Sequence, residues 1–246
     1  MAYNWDKMVK LTIPDGMTVS EAVFHNCDKL QNITVGNNVT IGENAFSMNK
    51  DKSFEVMKRT DETDTYFYYD FFSDLTTVTL GDNAFIGDNA FSGHAELTAV
   101  TLGENAKIGY MAFYNCDSLR DINLNKAVTI GDYAFYYCSS LQTLSMGKSV
   151  KTIGDYAFSG CENLKVVRLS EGLETIGNYA FNECAALVAF DTPDTVTSIG
   201  DYAFYNTAMT RVVTYNKLTS IGKYAFASCD ELTKVTLRAG ILTIDE

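Results

Sequence analysis

The sequence predicts a repeat solenoid, wound right-handed into about ten coils of 22 or 23 residues, with mainly short parallel β-strands joined by short helical turns. Two observations carry this. The hexapeptide Ile-Gly-x-x-Ala-Phe occurs intact eight times, ending at Phe46, Phe91, Phe113, Phe135, Phe158, Phe181, Phe204 and Phe226. Most copies continue as x-x-Cys-x-x-Leu-x-x-Val-x-Leu, so that six fixed columns recur at the 22- or 23-residue period. A unit this small cannot bury its own apolar face, so successive units must stack and share one long core.

An unbroken period over 246 residues argues for one elongated domain spanning residues 1–246, because a solenoid grows by adding units and not by adding cores. No apolar run approaches the 18 residues that a membrane span requires, so membrane insertion is not expected. The chain holds 19 Lys and Arg against 31 Asp and Glu, a net charge of −12. Such a balance repels phosphate backbones and anionic lipid, which sets nucleic acid and membrane surfaces aside as partners. Met1 to Lys7 shows neither a basic segment leading into an apolar stretch nor a cleavage site, so it does not read as a signal peptide. Met8, Leu11 and Ile13 occupy the Leu, Val and Leu columns of a partial first unit, and Leu242-Thr243-Ile244 opens a further one. Arrays usually close on polar caps, so a segment of a longer protein is expected, with any export signal or anchor outside it.

Within a unit, Leu-x-x-Val-x-Leu, as in Leu119 to Leu124, alternates over its last three residues and predicts one short strand, which pairs in parallel with its neighbours. An apolar pair before the hexapeptide, Val128 and Ile130 or Leu173 and Ile176, predicts a second short strand on the opposite face. The Gly that follows lets the chain turn without a Cβ clash. The next residue, Asp88, Asp132, Asp155 or Asp201, can then accept from amides two or three residues on and start a turn of helix, with Ala and Phe pointing inward. The first unit, Val19 to Val35, is loose but holds Phe24, Cys27, Leu30, Ile33 and Val35 in their columns. The stretch 47–74 reads either as a degenerate repeat, with Tyr69 in the Phe column, or as an irregular lobe. The first reading rests on the gap from Phe46 to Phe91, 45 residues, the sum of a 22- and a 23-residue period. The second rests on Lys52 in the Leu column and Thr65 in the Gly column, poor choices for a core.

These motifs resemble the BspA-type leucine-rich repeats, whose hallmark is Ile-Gly-x-x-Ala-Phe-x-x-Cys-x-x-Leu-x-x-Val-x-Leu-Pro. The resemblance covers nearly the whole chain except Ser47 to Tyr68. The terminal Pro survives only at Pro14 and, shifted, at Pro193, with Gly36, Gly81, Gly103 and Gly147 in its place elsewhere. The resemblance implies a curved solenoid of a cell-surface or secreted protein, acting in adhesion and protein binding, with a host extracellular or surface protein as partner. It implies no cofactor. Repeat scaffolds host many partners, so the fold carries over more firmly than the function.

Little in the chain reads as chemistry. All six cysteines, Cys27, Cys116, Cys138, Cys161, Cys184 and Cys229, stand in one column. Parallel stacking sets their Cβ vectors side by side about 4.8 Å apart, where a disulfide needs convergence, so buried free thiols are expected. Their spacing also lacks the close pairs of a zinc site. His94 stands in the same column one rung from Cys116, the sole pairing of nucleophile and base in the chain, and a remote enzyme reading rests on it alone. The plainer reading is a substituted core slot, as at Asn49, Phe72 and Thr207; His25 has no evident partner. No catalytic residue and no metal ligand is therefore assigned.

Binding is the favoured function. Outward strand positions escape the packing that fixes the columns, and one outward column runs Asn32, Thr77, Ala99, Asp121, Thr143, Val166, Ala189, Arg211, Lys234. Its neighbour runs Thr34, Thr79, Thr101, Asn123, Ser145, Arg168, Asp191, Val213, Thr236. Asp121, Arg168, Asp191, Arg211 and Lys234 are the candidate contacts for a protein partner on this face. A second candidate patch is the aromatic run containing Tyr66, Phe67, Tyr68 and Phe71. Tyr133, Tyr156, Tyr179, Tyr202 and Tyr224 form a column read as a packing ladder with wet hydroxyls, the alternative being an aromatic ridge for protein or glycan contact. Asn32 and Asn38 begin glycosylation sequons. A structural spacer presenting another domain is the alternative to a binding module.

Overall fold

The computed structural model describes residues 5, 7–24, 27–47, 74–238 and 240–244. The chain is a parallel-strand β-solenoid. Ten strands form its wide face: β1 (Lys10–Ile13), β3 (Asn32–Val35), β5 (Thr77–Leu80), β7 (Ala99–Thr101), β9 (Asp121–Leu124), β11 (Thr143–Met146), β13 (Val166–Arg168), β15 (Ala189–Asp191), β17 (Arg211–Val213) and β19 (Lys234–Thr236). Ten shorter ones form the narrow face: β2 (Thr18–Val19), β4 (Thr40–Ile41), β6 (Phe85–Ile86), β8 (Ala106–Ile108), β10 (Ala127–Ile130), β12 (Thr152–Ile153), β14 (Thr175–Ile176), β16 (Ser198–Ile199), β18 (Ser220–Ile221) and β20 (Thr243–Ile244). The narrow face is one continuous ten-stranded sheet. The wide face is divided into groups of four, three and three, with breaks between β7 and β9 and between β13 and β15.

Between the two faces lies a core of repeated columns. Phe24, Phe46, Phe91, Phe113, Phe135, Phe158, Phe181, Phe204 and Phe226 stack ring on ring, with centroids 5.1 to 5.5 Å apart and planes within 10° of parallel. The alanines before them from Ala45 to Ala203 are fully buried, because one methyl is all that the space beside each ring admits.

Residues 48–73 lie outside the described residues. Strand β3 pairs directly with β5, Asn32 opposite Thr77 and Val35 opposite Leu80, and β4 pairs with β6, Ile41 opposite Ile86. Phe46 stacks on Phe91 at 5.2 Å. The described strands wind through about nine turns, in keeping with the solenoid expected.

The predicted helical turns are also absent: no helix forms among the described residues. The fourth residue of each hexapeptide has a left-handed φ, as at Asn44 (52°), Asn89 (53°), Tyr156 (57°) and Tyr202 (53°), which ends a helical path at once. Its amide donates to the next coil, Tyr156 N to Asn178 O at 2.8 Å, and the Phe amide does the same, Phe158 N to Ala180 O at 2.9 Å. The acidic residue after Gly likewise bonds across coils and not within its own turn. Asp88 Oδ1 accepts from Tyr110 N, Asp132 from Asp155 N, Asp155 from Asn178 N and Asp201 from Lys223 N, at 2.7 to 2.9 Å. The hexapeptide glycine is required for close approach: a Cβ on Gly131 would lie 2.7 Å from the carbonyl carbon of Gly109 one coil below.

One seam divides the stack. At the junction between coils β7–β8 and β9–β10 the wide-face ladder breaks, and on the narrow face Ala127 pairs with Ala106 while Thr129 pairs with Lys107, leaving Val128 as a bulge.

Candidate binding face

Within each group of strands the pairing registers place the outward residues of the wide face in files: Asn32, Thr77 and Ala99, then Asp121, Thr143 and Val166, then Ala189, Arg211 and Lys234. Beside them run Thr34, Thr79 and Thr101, then Asn123, Ser145 and Arg168, then Asp191, Val213 and Thr236. The inward neighbours Ile33, Val78, Ile122, Leu144 and Val212 are buried, which is why the outward side chains are free to vary. Asp121, Arg168, Asp191, Arg211 and Lys234 are all exposed.

Their charges are not equivalent. Arg211 Nη2 sits 3.1 Å from Asp191 Oδ2, joining the two files diagonally and cancelling two of the candidate charges against each other. Both side chains are half exposed, so the pair contributes little to stability and leaves its groups able to exchange partners. Arg168 lies across the break between β13 and β15, and Lys234 is the direct register neighbour of Arg211. The C-terminal part of the face therefore presents a compensated pair flanked by two further cations. The aromatic residues Tyr66, Phe67, Tyr68 and Phe71 lie outside the described residues, as do His25, Asn49 and Phe72.

The cysteine column has a structural task that spacing did not disclose. Five of the sulfurs donate to the carbonyl of the Phe one coil earlier: Cys116 to Phe91, Cys138 to Phe113, Cys161 to Phe135, Cys184 to Phe158 and Cys229 to Phe204, at 3.2 to 3.5 Å. All six are buried and outside any disulfide. Burial pushes the Cys116, Cys161 and Cys184 thiols up, away from the thiolate that nucleophilic attack needs. His94 performs the same task with a larger side chain. Its Nε2 lies 2.8 Å from Phe46 O, and burial lowers its pKa to about 4, partly opposed by that bond. A protonated thiol beside an imidazole committed to a backbone carbonyl is packing, so the pairing of His94 with Cys116 reads as a substituted core slot.

The tyrosine column lies half-buried along the outside of the turns, and its rings face one another: Tyr133 to Tyr156 at 4.6 Å, Tyr156 to Tyr179 at 4.5 Å and Tyr179 to Tyr202 at 4.7 Å, with planes 5 to 7° apart. The π faces are spent on each other, as in a packing ladder. The left-handed backbone beneath it escaped notice, although Asn44 and Asn89 in the same slot were a signal for it. The sequon residue Asn32 accepts from Thr77 Oγ1 on the wide face, and Asn38 accepts from Asn83 Nδ2 at 3.0 Å. On the narrow face an open concavity of about 310 Å³ is lined by Asp155, Thr175, Asn178, Ser198, Asp201 and Ser220.

Comparison with known proteins agrees with this architecture. The family model described as the BspA type leucine rich repeat region matches in 6 copies, over residues 1–120, 84–200 and 128–246. A leucine-rich repeat protein from Bacteroides ovatus ATCC 8483 superposes with a TM-score of 0.72 at 26% identity, covering 96% of this chain and 59% of its own. A leucine rich cell surface protein from Faecalibacterium prausnitzii A2-165 is 24% identical with a TM-score of 0.48, over 92% of this chain and 47% of its own. The chain thus spans roughly half the length of these two relatives. No curated protein sequence matches it.

Proposed function

Because this chain belongs to the BspA-type leucine-rich repeat family, we propose that it is a non-catalytic protein-binding or adhesion module of a cell-surface or secreted protein, and that its partner docks on the wide sheet face. The observation that carries this reading is the change in character of the outward files. From Asn32 to Thr101 they are short and uncharged; from Arg168 to Lys234 they hold three cations and one anion over inward residues that the core fixes. A partner with an acidic patch would meet Arg168 and Lys234 directly and could draw Arg211 away from Asp191. The buried cysteine column, committed to backbone carbonyls, gives no support to an enzyme.

The test is surface-plasmon capture of purified extracellular matrix and cell-surface proteins by the wild type and by Arg168→Glu/Lys234→Glu, which leaves the Asp191–Arg211 pair intact. Loss of a captured partner in the variant, restored at low salt by charge-reversed partner variants, is expected. Equal capture by both proteins removes this face, and capture by neither favours a spacer that presents another domain.

A further inference from the structure

The turn beneath the tyrosine column does not need tyrosine. Asn44, Asn89 and Met111 make the same left-handed turn with φ between 51 and 53°, and Asn does so with less strain than an aromatic residue. Yet Tyr133, Tyr156, Tyr179, Tyr202 and Tyr224 occupy it in five successive coils at φ between 53 and 57°. Tyr110 joins the column at one end, 5.6 Å from Tyr133, and Tyr224 ends it, 5.0 Å from Tyr202. Side branches connect Tyr136 to Tyr133 at 5.3 Å and to Tyr137 at 4.4 Å, and Tyr205 to Tyr202 at 5.7 Å. The result is a continuous file of partly exposed phenols, in which the three central contacts are nearly parallel.

We propose that this ladder is an intramolecular dityrosine cross-linking site, the modifying agent being a peroxidase-class one-electron oxidant with hydrogen peroxide. Each of two phenols loses one electron and one proton to the oxidant, giving two tyrosyl radicals while one hydrogen peroxide is reduced to two waters. The radicals couple by forming one bond between ring carbons ortho to the hydroxyls. The hydrogen on each of those carbons then moves to its phenolic oxygen, so the product is a biphenol that has lost two hydrogens overall. Coupling is favoured between Tyr133 and Tyr156, Tyr156 and Tyr179, or Tyr179 and Tyr202, because these rings stack nearly parallel with centroids 4.5 to 4.7 Å apart and the encounter is prepaid by the stack. A radical formed at half-exposed Tyr224 reaches them through the same file. The cross-link joins successive coils covalently on the turn side, opposite to nothing the core requires, and it would resist the fraying by which a solenoid opens from its ends.

Dilute purified protein is treated with horseradish peroxidase and hydrogen peroxide, then followed by dityrosine fluorescence, denaturing electrophoresis and mass mapping of peptides. The expected product runs as a monomer, has lost two hydrogens per cross-link, and links the peptides holding Tyr156 and Tyr179 or the adjoining pairs. Tyr156→Phe/Tyr179→Phe/Tyr202→Phe keeps the aromatic stack and should lose most of the fluorescence, and wild type oxidised in urea should lose the ladder-specific peptides. Failure of the folded wild type to form dityrosine would overturn the proposal. So would links that map to tyrosines outside the ladder, products that are only intermolecular, or an undiminished yield in the triple variant.

Discussion

The coils on either side of the Val128 bulge are built on one core and wear two different shells. Before it, the narrow strand has one residue between its apolar positions, as in Val39 to Ile41, Ala84 to Ile86 and Ala106 to Ile108; after it there are two, as in Val150 to Ile153, Leu173 to Ile176 and Val196 to Ile199. The corner after the wide strand also differs. Asn38, Asn83 and Asn105 hold left-handed φ there and pass a side-chain hydrogen bond from coil to coil, 3.0 Å at each step. Beyond the seam that ladder stops and the tyrosine ladder begins. The phenylalanine stack crosses the seam unchanged, Phe91 to Phe113 and Phe113 to Phe135 both at 5.4 Å. The lesson is that pitch is set by the core columns, and a coil can gain or lose a residue on its surface without disturbing them.

If that is right, truncating the core should hurt both regions alike. Phe91→Ala and Phe158→Ala, one from each side, should each cost about 3–5 kcal/mol, read as matching shifts in urea unfolding. A markedly smaller loss on one side would show that its shell, and not the shared stack, holds its coils together.

The next effect separates the regions by acidity. Free histidine takes a proton near pH 6.5, whereas folded His94 resists until about 4. Between those values the unfolded chain binds more protons, so stability falls as pH is lowered through this window and is unaffected above it. The full loss is about 3 kcal/mol. His94→Cys, which restores the column's usual donor to Phe46 O, should abolish this dependence in thermal melts between pH 7 and pH 4. Persistence of the same acid slope in the variant would assign it to other groups.

The smallest effect exchanges one shell for the other. Tyr179→Asn removes two ring stacks, worth about 0.5–1.5 kcal/mol each, and relieves a left-handed aromatic backbone that costs about 1–2 kcal/mol. The net change in melting should be within about 1 kcal/mol of zero, and a larger loss would mean that the ladder organises more than its own turn.

The columns and strands were legible because burial repeats. A position that is dry in one coil is dry in all, and Ile, Ala, Phe and Leu record it. The outward files were legible for the same reason, by subtraction. The sequence leaves 47–74 open between a degenerate repeat and an irregular lobe, because a gap of 45 residues matches two periods in sum and arithmetic cannot tell a coil from an excursion of equal length. The helical turn was misread because Asp after Gly is a good cap in a lone turn, while in a stack the neighbouring coil offers its amide closer at hand. The Arg211 to Asp191 pair was hidden since it runs diagonally between files, and register arguments pair residues straight across.

The direct contact of β3 with β5 bears finally on how the coils assemble. Closing a rung across 45 residues in place of 22 raises the chain-entropy cost by roughly 0.6 kcal/mol, since that cost grows only as the logarithm of the separation. Every other coil could absorb a comparable passenger in the turn after its phenylalanine at the same modest charge. The repeat is therefore a frame in which foreign sequence can be carried at any level without resetting the levels above it, and new surface can arise by insertion where substitution alone would be confined to a few outward positions.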